Sequence, residues 1–130
     1  MYYGQGYVGA ASKRYAAVHA GSRIEGASPH GLVKILFDEL AIAMAAAAEA
    51  CRQGERFKML EKNTRALSIL HALESSLDFE QGGDVAVGLA QIYRETRRRL
   101  ISVTHDGGIK DIETAQALIA EIAEAWNSIG

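Results

Sequence analysis

The sequence predicts an all-α protein, an antiparallel up-down four-helix bundle preceded by a flexible N-terminal arm. Three observations carry that prediction. Apolar residues recur at helical spacing in four successive segments, the segments are separated by short Gly-, Ser- or Asp-containing breaks, and the 130 residues are 48% apolar and 23% charged, a composition that favours one folded core over disorder.

Residues 1–26 contain Gly4, Gly6, Gly9, Gly21 and Gly26 together with Tyr2, Tyr3, Tyr7 and Tyr15. Such a stretch does not readily offset its own ordering entropy, although its aromatic residues can dock on another surface. It reads as a mobile arm, and residues 27–130 as the bundle. Ser28-Pro29 opens the first helix, with serine as N-cap and proline at the first helical position, where the missing N–H costs nothing. Leu32, Ile35, Leu36, Ala43, Ala47 and Ala50 form its stripe, widened by Val33, Phe37, Leu40 and Met44, and it ends near Gly54.

From about Glu55 a second helix turns Leu60, Leu67, Leu70, Leu73 and Leu77 inward, with Ala66 and Ile69 alongside. It stops at "SSLDFEQGGDVAVGL", Ser75 to Leu89. Asp84 is the expected N-cap of the third helix, whose inward residues are Val85, Leu89, Ile92, Tyr93, Thr96, Leu100 and Val103. "HDGG", His105 to Gly108, ends it. The fourth helix has the cleanest period, with Ile112, Ala115, Ile119, Ile122, Trp126 and Ile129 in alternating steps of three and four. Helices of about 18 to 24 residues rise ~30 Å each, and short connections make sequence neighbours antiparallel.

Several chemistries are excluded or left without support. The loop from Asp78 to Asp84 lacks the alternating oxygen ligands and closing glutamate of a calcium loop, and no Gly-Lys-Ser/Thr follows it. It reads as a corner. A di-iron bundle needs Glu-x-x-His on two helices, but Ala16, Ala27, Ser68 and Ser102 stand three residues before the four histidines. His71 lies near Glu74 on one helix, a pairing better suited to a polar contact than to a metal. No nucleophile, base and acid can be assembled around Ser28. No catalytic residue, metal ligand or cofactor site is therefore expected.

The formal charge of -2 gives no reason to expect nucleic acid, and "RETRRRL", Arg94 to Leu100, reads as a solvated face or a protein contact. "LAIAMAAAA", Leu40 to Ala48, is too short to span a bilayer. The lone Cys51 suits a reducing compartment, and the first 26 residues hold no apolar run of secretory length. A cytoplasmic protein without direct membrane insertion is the expectation. Two features exceed the needs of a minimal bundle. The run "AIAMAAAAEA", Ala41 to Ala50, either packs closely or leaves a groove for an incoming apolar helix, and the tyrosine-bearing arm could cover such a surface. Trp126 reads as core from its place on the seam.

"GASPHGLVKILFDEL" (Gly26 to Leu40), "SSLDFEQGGDVAVGLAQIYRETRRRL" (Ser75 to Leu100) and "IAEAWNSI" (Ile122 to Ile129) resemble, in order, the signature regions of the FliS family of bacterial flagellin export chaperones. The resemblance implies a helical bundle that binds the disordered C-terminal segment of flagellin in the cytoplasm. It further implies that the chaperone blocks premature polymerisation and presents the subunit to the gate of the flagellar type III export apparatus. Within it, "LDFEQGG" is the corner between helices two and three, without a ligand. Tyr15 aligns with the tyrosine implicated in covering the empty groove and touching the export gate, and Ile24 with the apolar residue before Ala-Ser-Pro. Ser12 stands where family members often carry a large apolar residue. For the flagellin-binding grooves the candidates are stripe-edge residues: Val33, Phe37, Leu70, Leu77, Leu89 and Tyr93.

The alternative is a regulatory adaptor that holds an anti-sigma factor or another flagellar regulator in the same grooves or on the Arg97 to Arg99 face. An enzymatic or small-molecule-binding bundle would require a buried polar cluster, and the stripes contain only Thr96 as a hydroxyl.

Overall fold

A computed structural model of the chain describes residues 28–105 and 107–129. It comprises α1 (Pro29–Arg52), α2 (Arg56–Ser75), α3 (Phe79–Val103) and α4 (Ile109–Ile129). Consecutive helices pack side by side, and α4 closes the ring against α1. Contacts at both ends fix the antiparallel sense. The Arg52 guanidinium at the end of α1 meets Glu113 at the start of α4 at 3.2 Å, while the Trp126 indole N–H near the end of α4 donates to the His30 carbonyl oxygen at the start of α1, 3.1 Å away. The sequence-based four-helix reading agrees with this arrangement. No helix among the described residues is long and apolar enough to cross a membrane.

The first helix starts where its cap signal places it. Ser28 is extended and its Oγ accepts from the Gly31 N–H at 3.1 Å, with Pro29 following. Gly54, at φ 75°, turns the chain after the end of α1. The third helix differs from the expectation. Its N-cap is Asp78, not Asp84, and one Asp78 carboxylate oxygen accepts from both Glu80 and Gln81 N–H groups at 3.1 Å. One turn then forms before the backbone breaks at Gly83, at φ 50° and ψ -125°.

The two glycines at this corner serve different ends. A Cβ on Gly82 would lie 2.9 Å from the Ala86 Cβ, too close for two carbons, whereas a Cβ on Gly83 would meet nothing within 4 Å. Gly83 is therefore required for its backbone conformation alone, which L side chains adopt only at a cost. We expect Gly83→Ala to lower unfolding stability by about 1–3 kcal/mol in denaturant titrations. Gly88→Ala, on the same helix and also facing open space, should instead stabilise by roughly 0.5–1 kcal/mol. Equal effects at the two positions would refute this assignment.

The break at Gly83 also resets which residues face inward. Val85, expected in the stripe, is 68% exposed, and the buried series is Ala86, Ala90, Tyr93, Thr96, Leu100 and Val103. In α4 the buried residues are Ile112, Ala115 and Ile119; the expected seam loosens after them, and Ile129 is exposed.

Two apolar clusters fill the bundle. The larger gathers Phe37, Leu40, Met44, Leu70, Leu73, Tyr93, Leu100 and Ile119 with flanking alanines. The smaller joins Ala47, Ala48 and Ala50 to Met59, Val103 and Ile112. The alanine-rich half of α1 thus packs closely against its neighbours; the alternative of a groove along that half does not hold, because Met59 and Ile112 occupy the space.

Asn63 is a buried polar residue that the stripe reading passed over. It is 0% exposed, and its Nδ2 donates to the Leu100 carbonyl oxygen at 2.8 Å. Leu100 lies in the last turn of α3, where carbonyl groups lack helical partners, so Asn63 satisfies one of them across the α2/α3 contact. Thr96 bonds its hydroxyl to its own helix, at the Ile92 carbonyl oxygen. These two buried polar groups serve the backbone.

Candidate functional site: an apolar groove at one end of the bundle

An apolar hollow of about 290 Å³ opens where the start of α1, the end of α2, the start of α3 and the end of α4 meet. Its walls include Val33 from α1, Leu77 after α2, Val85, Ala86, Leu89 and Tyr93 from α3, and Trp126 from α4. Among the described residues, the polar side chains Ser76, Asp78 and Gln81 line it at the α2/α3 corner. Antiparallel packing brings together these four helix ends, which lie far apart in sequence. Phe79, next to the lining residue Asp78, adds exposed apolar surface.

Of the six groove candidates, Val33, Leu77, Leu89 and Tyr93 line this hollow. Val33, Leu77 and Leu89 are half-buried and present an edge to it. Leu70 is 0% exposed and Phe37 2%, and neither reaches the wall of the hollow: both lie in the core beneath it. Tyr15 and Ile24 lie outside the described residues.

By sequence Trp126 belongs to the core and Asp78 to Asp84 form a corner without a ligand. Trp126 is half-buried, packing against the core on one side and forming the groove wall on the other. Its indole stacks on the His30 imidazole with centroids 4.6 Å apart and planes at 7°, and meets Phe37 edge-on at 6.4 Å. A hint was available in the sequence: past Ile122 the α4 residues Glu124, Asn127 and Ser128 are polar, which leaves the stripe one residue wide at Trp126.

Tyr93 forms the floor, tilted against Phe37 at 6.4 Å. Burial pushes its phenol up to about 12 from 10.0. The unfolded chain therefore releases this proton near pH 10 while the native protein holds it until about 12. Between those values the native state binds more protons, so stability falls as pH rises. We expect the wild type to lose more stability than Tyr93→Phe between pH 10 and pH 12, by at most roughly 3 kcal/mol. Parallel pH profiles in denaturant melts would contradict that.

Three arginines of the run on α3 meet carboxylates of this chain. Arg97 pairs with Glu74, Arg98 with Glu95, and Arg99 with Glu95 and Asp111. Hydrogen bonds from Arg98 and then Arg99 hold the Glu95 carboxyl below its usual range. This face is a network of partly exposed pairs, each worth little by itself.

Comparison with known proteins agrees with the architecture. The family described as flagellar protein FliS matches residues 11–130. The chain is 34% identical over 124 residues to the flagellar secretion chaperone FliS of Salmonella typhimurium, covering 95% of this chain and 92% of that protein. It is 30% identical over 115 residues to the FliS chaperone of Vibrio cholerae, with 88% and 85% covered. To the flagellar secretion chaperone FliSB of Pseudomonas aeruginosa it is 28% identical over 126 residues, with 95% and 98% covered. The match spans all four helices and the groove they enclose, and the chain belongs to the FliS family of flagellar proteins.

Proposed function

We propose that this chain is a flagellar secretion chaperone that binds the disordered C-terminal segment of flagellin in the cytoplasm, prevents its premature polymerisation and delivers it to the flagellar export gate. The observation that carries the reading is the apolar groove between Val33, Leu77, Leu89 and Trp126, in a chain whose relatives are named flagellar secretion chaperones. An amphipathic segment can lay large apolar side chains into such a hollow, and folding of the segment on binding accompanies their burial. Polar corner residues at one rim give the segment a direction. This is a binding function, with no chemical step assigned to the chain.

Within the same proposal, the arm of residues 1–26 covers the empty groove and contacts the gate through Tyr15 and Ile24, a role supported by the family resemblance alone. In the adaptor alternative a partner on the arginine face would compete with the carboxylates that pair with Arg97, Arg98 and Arg99.

The test is calorimetric titration of the full chain with flagellin from its own organism, intact and lacking the C-terminal segment. A one-to-one complex with a negative heat-capacity change, lost on deletion of the segment, is expected. A complex indifferent to the deletion would overturn the proposal.

A further inference from the structure

The groove has one wall held far more weakly than the others. Its α1 wall is rooted by Ile35, Phe37 and Leu40, and its α3 wall by Ala86, Ala90 and Tyr93, all buried. After Ile119, by contrast, α4 has no buried residue among those described; Ile122, Ala123 and Trp126 are half-buried and the remainder exposed. Local opening free energy follows buried apolar contact, so this end of α4 is the part of the groove that separates most readily.

Trp126 is what closes it. Its ring is stacked on the His30 imidazole at 4.6 Å, and its N–H donates to the His30 carbonyl oxygen at 3.1 Å. Directly behind it, at 6.4 Å and edge-on, is Phe37, 2% exposed. As it stands the hollow holds about 290 Å³, at the lower bound of the roughly 300–1,000 Å³ common for sites of drug-sized ligands. A helix that docks through anchors at i, i+3 or i+4, and i+7 brings several large side chains.

We propose that the last turns of α4, from Glu121 onward, are a movable wall of the groove latched by Trp126 on His30. Release of the latch uncovers Phe37 and enlarges the site for the incoming apolar segment. The inference rests on the groove being the flagellin-binding site, yet the latch itself exists in the free protein. His30 acts here as a positioning residue for Trp126. A partner that binds only the open form sees its affinity reduced by the closed fraction, so loosening the latch strengthens binding.

Amide hydrogen exchange and acrylamide quenching of Trp126, the protein's single tryptophan, test this in the free full-length chain. His30→Ala removes the stack and leaves the carbonyl acceptor. It should speed exchange across residues 121–129 by about 2- to 10-fold, the range that loss of an aromatic pair supports. Quenching should rise, while amides of Ile112 to Ile119 stay unchanged. His30→Phe, which retains a ring to stack on, should restore wild-type exchange. Titrated with the flagellin C-terminal segment, His30→Ala should bind up to several-fold more tightly, and residues 121–129 should change protection on binding.

Unaltered exchange and quenching in His30→Ala would overturn the latch, as would binding of the segment without any change at residues 121–129. Failure of the segment to bind at all would reject the flagellin reading, and exchange in the free protein would still decide the latch.

Discussion

Leu89→Asp should weaken binding of the flagellin C-terminal segment by about 100-fold or more while leaving a folded bundle. Leu89 is half-buried on the groove wall between Ala86 and Tyr93. In the free protein a carboxylate there can still reach water at the groove mouth, which limits the stability cost. Once an apolar segment fills the groove, that carboxylate loses its water with no cation among the described groove-lining residues to pair with it. The penalty therefore falls on the complex. Val87→Asp is the control, since Val87 is 45% exposed on the same helix and lies outside the groove wall; it adds the same charge without burying it. Calorimetric titration of both variants, with circular dichroism to establish folding, gives the comparison. Equal losses would mean that net charge matters and the groove does not.

Leu70→Ala should act on stability instead of affinity. Leu70 is 0% exposed in the main cluster with Leu40, Met44, Leu73 and Tyr93. Truncation removes buried methyl groups and leaves a cavity that close-packed helices fill only in part, at a cost of about 2–5 kcal/mol. Against a typical domain stability of roughly 5–15 kcal/mol, that is a large fraction. Thermal melts should move down by roughly 10 °C or more, while the folded protein retains wild-type affinity for the segment. Leu77→Ala, at the groove edge, should show the reverse pattern, with a modest loss of stability and a clear loss of affinity. If Leu70→Ala lowered affinity in fully folded protein, the binding site would extend into what is now the core.

The contrast between Leu70 and Leu77 shows where reading the sequence stops. Both fall on the one apolar stripe that helical spacing assigns to the second helix, and spacing alone gives them the same role. Neighbouring helices separate them: Leu70 is covered on all sides, whereas Leu77 sits past the end of α2, where the bundle opens into the groove. Phe37 and Val33 divide in the same way on α1.

The number of helices, the Ser28-Pro29 start, the end of the first helix near Gly54, the break at the Gly82-Gly83 pair and the family were all legible in the residues alone. Those signals are local: a cap, a glycine conformation or a 3.6-residue period acts within a few turns of its own segment. The packed bundle was needed to show that, past Gly83, α3 buries Ala86 and Ala90 and leaves Val85 outside. It also decided that Asn63 caps the α3 terminus and that Trp126 walls a groove. Each of these depends on how one helix is rotated against another. That rotation is fixed by packing between residues as far apart as His30 and Trp126, which no single segment encodes.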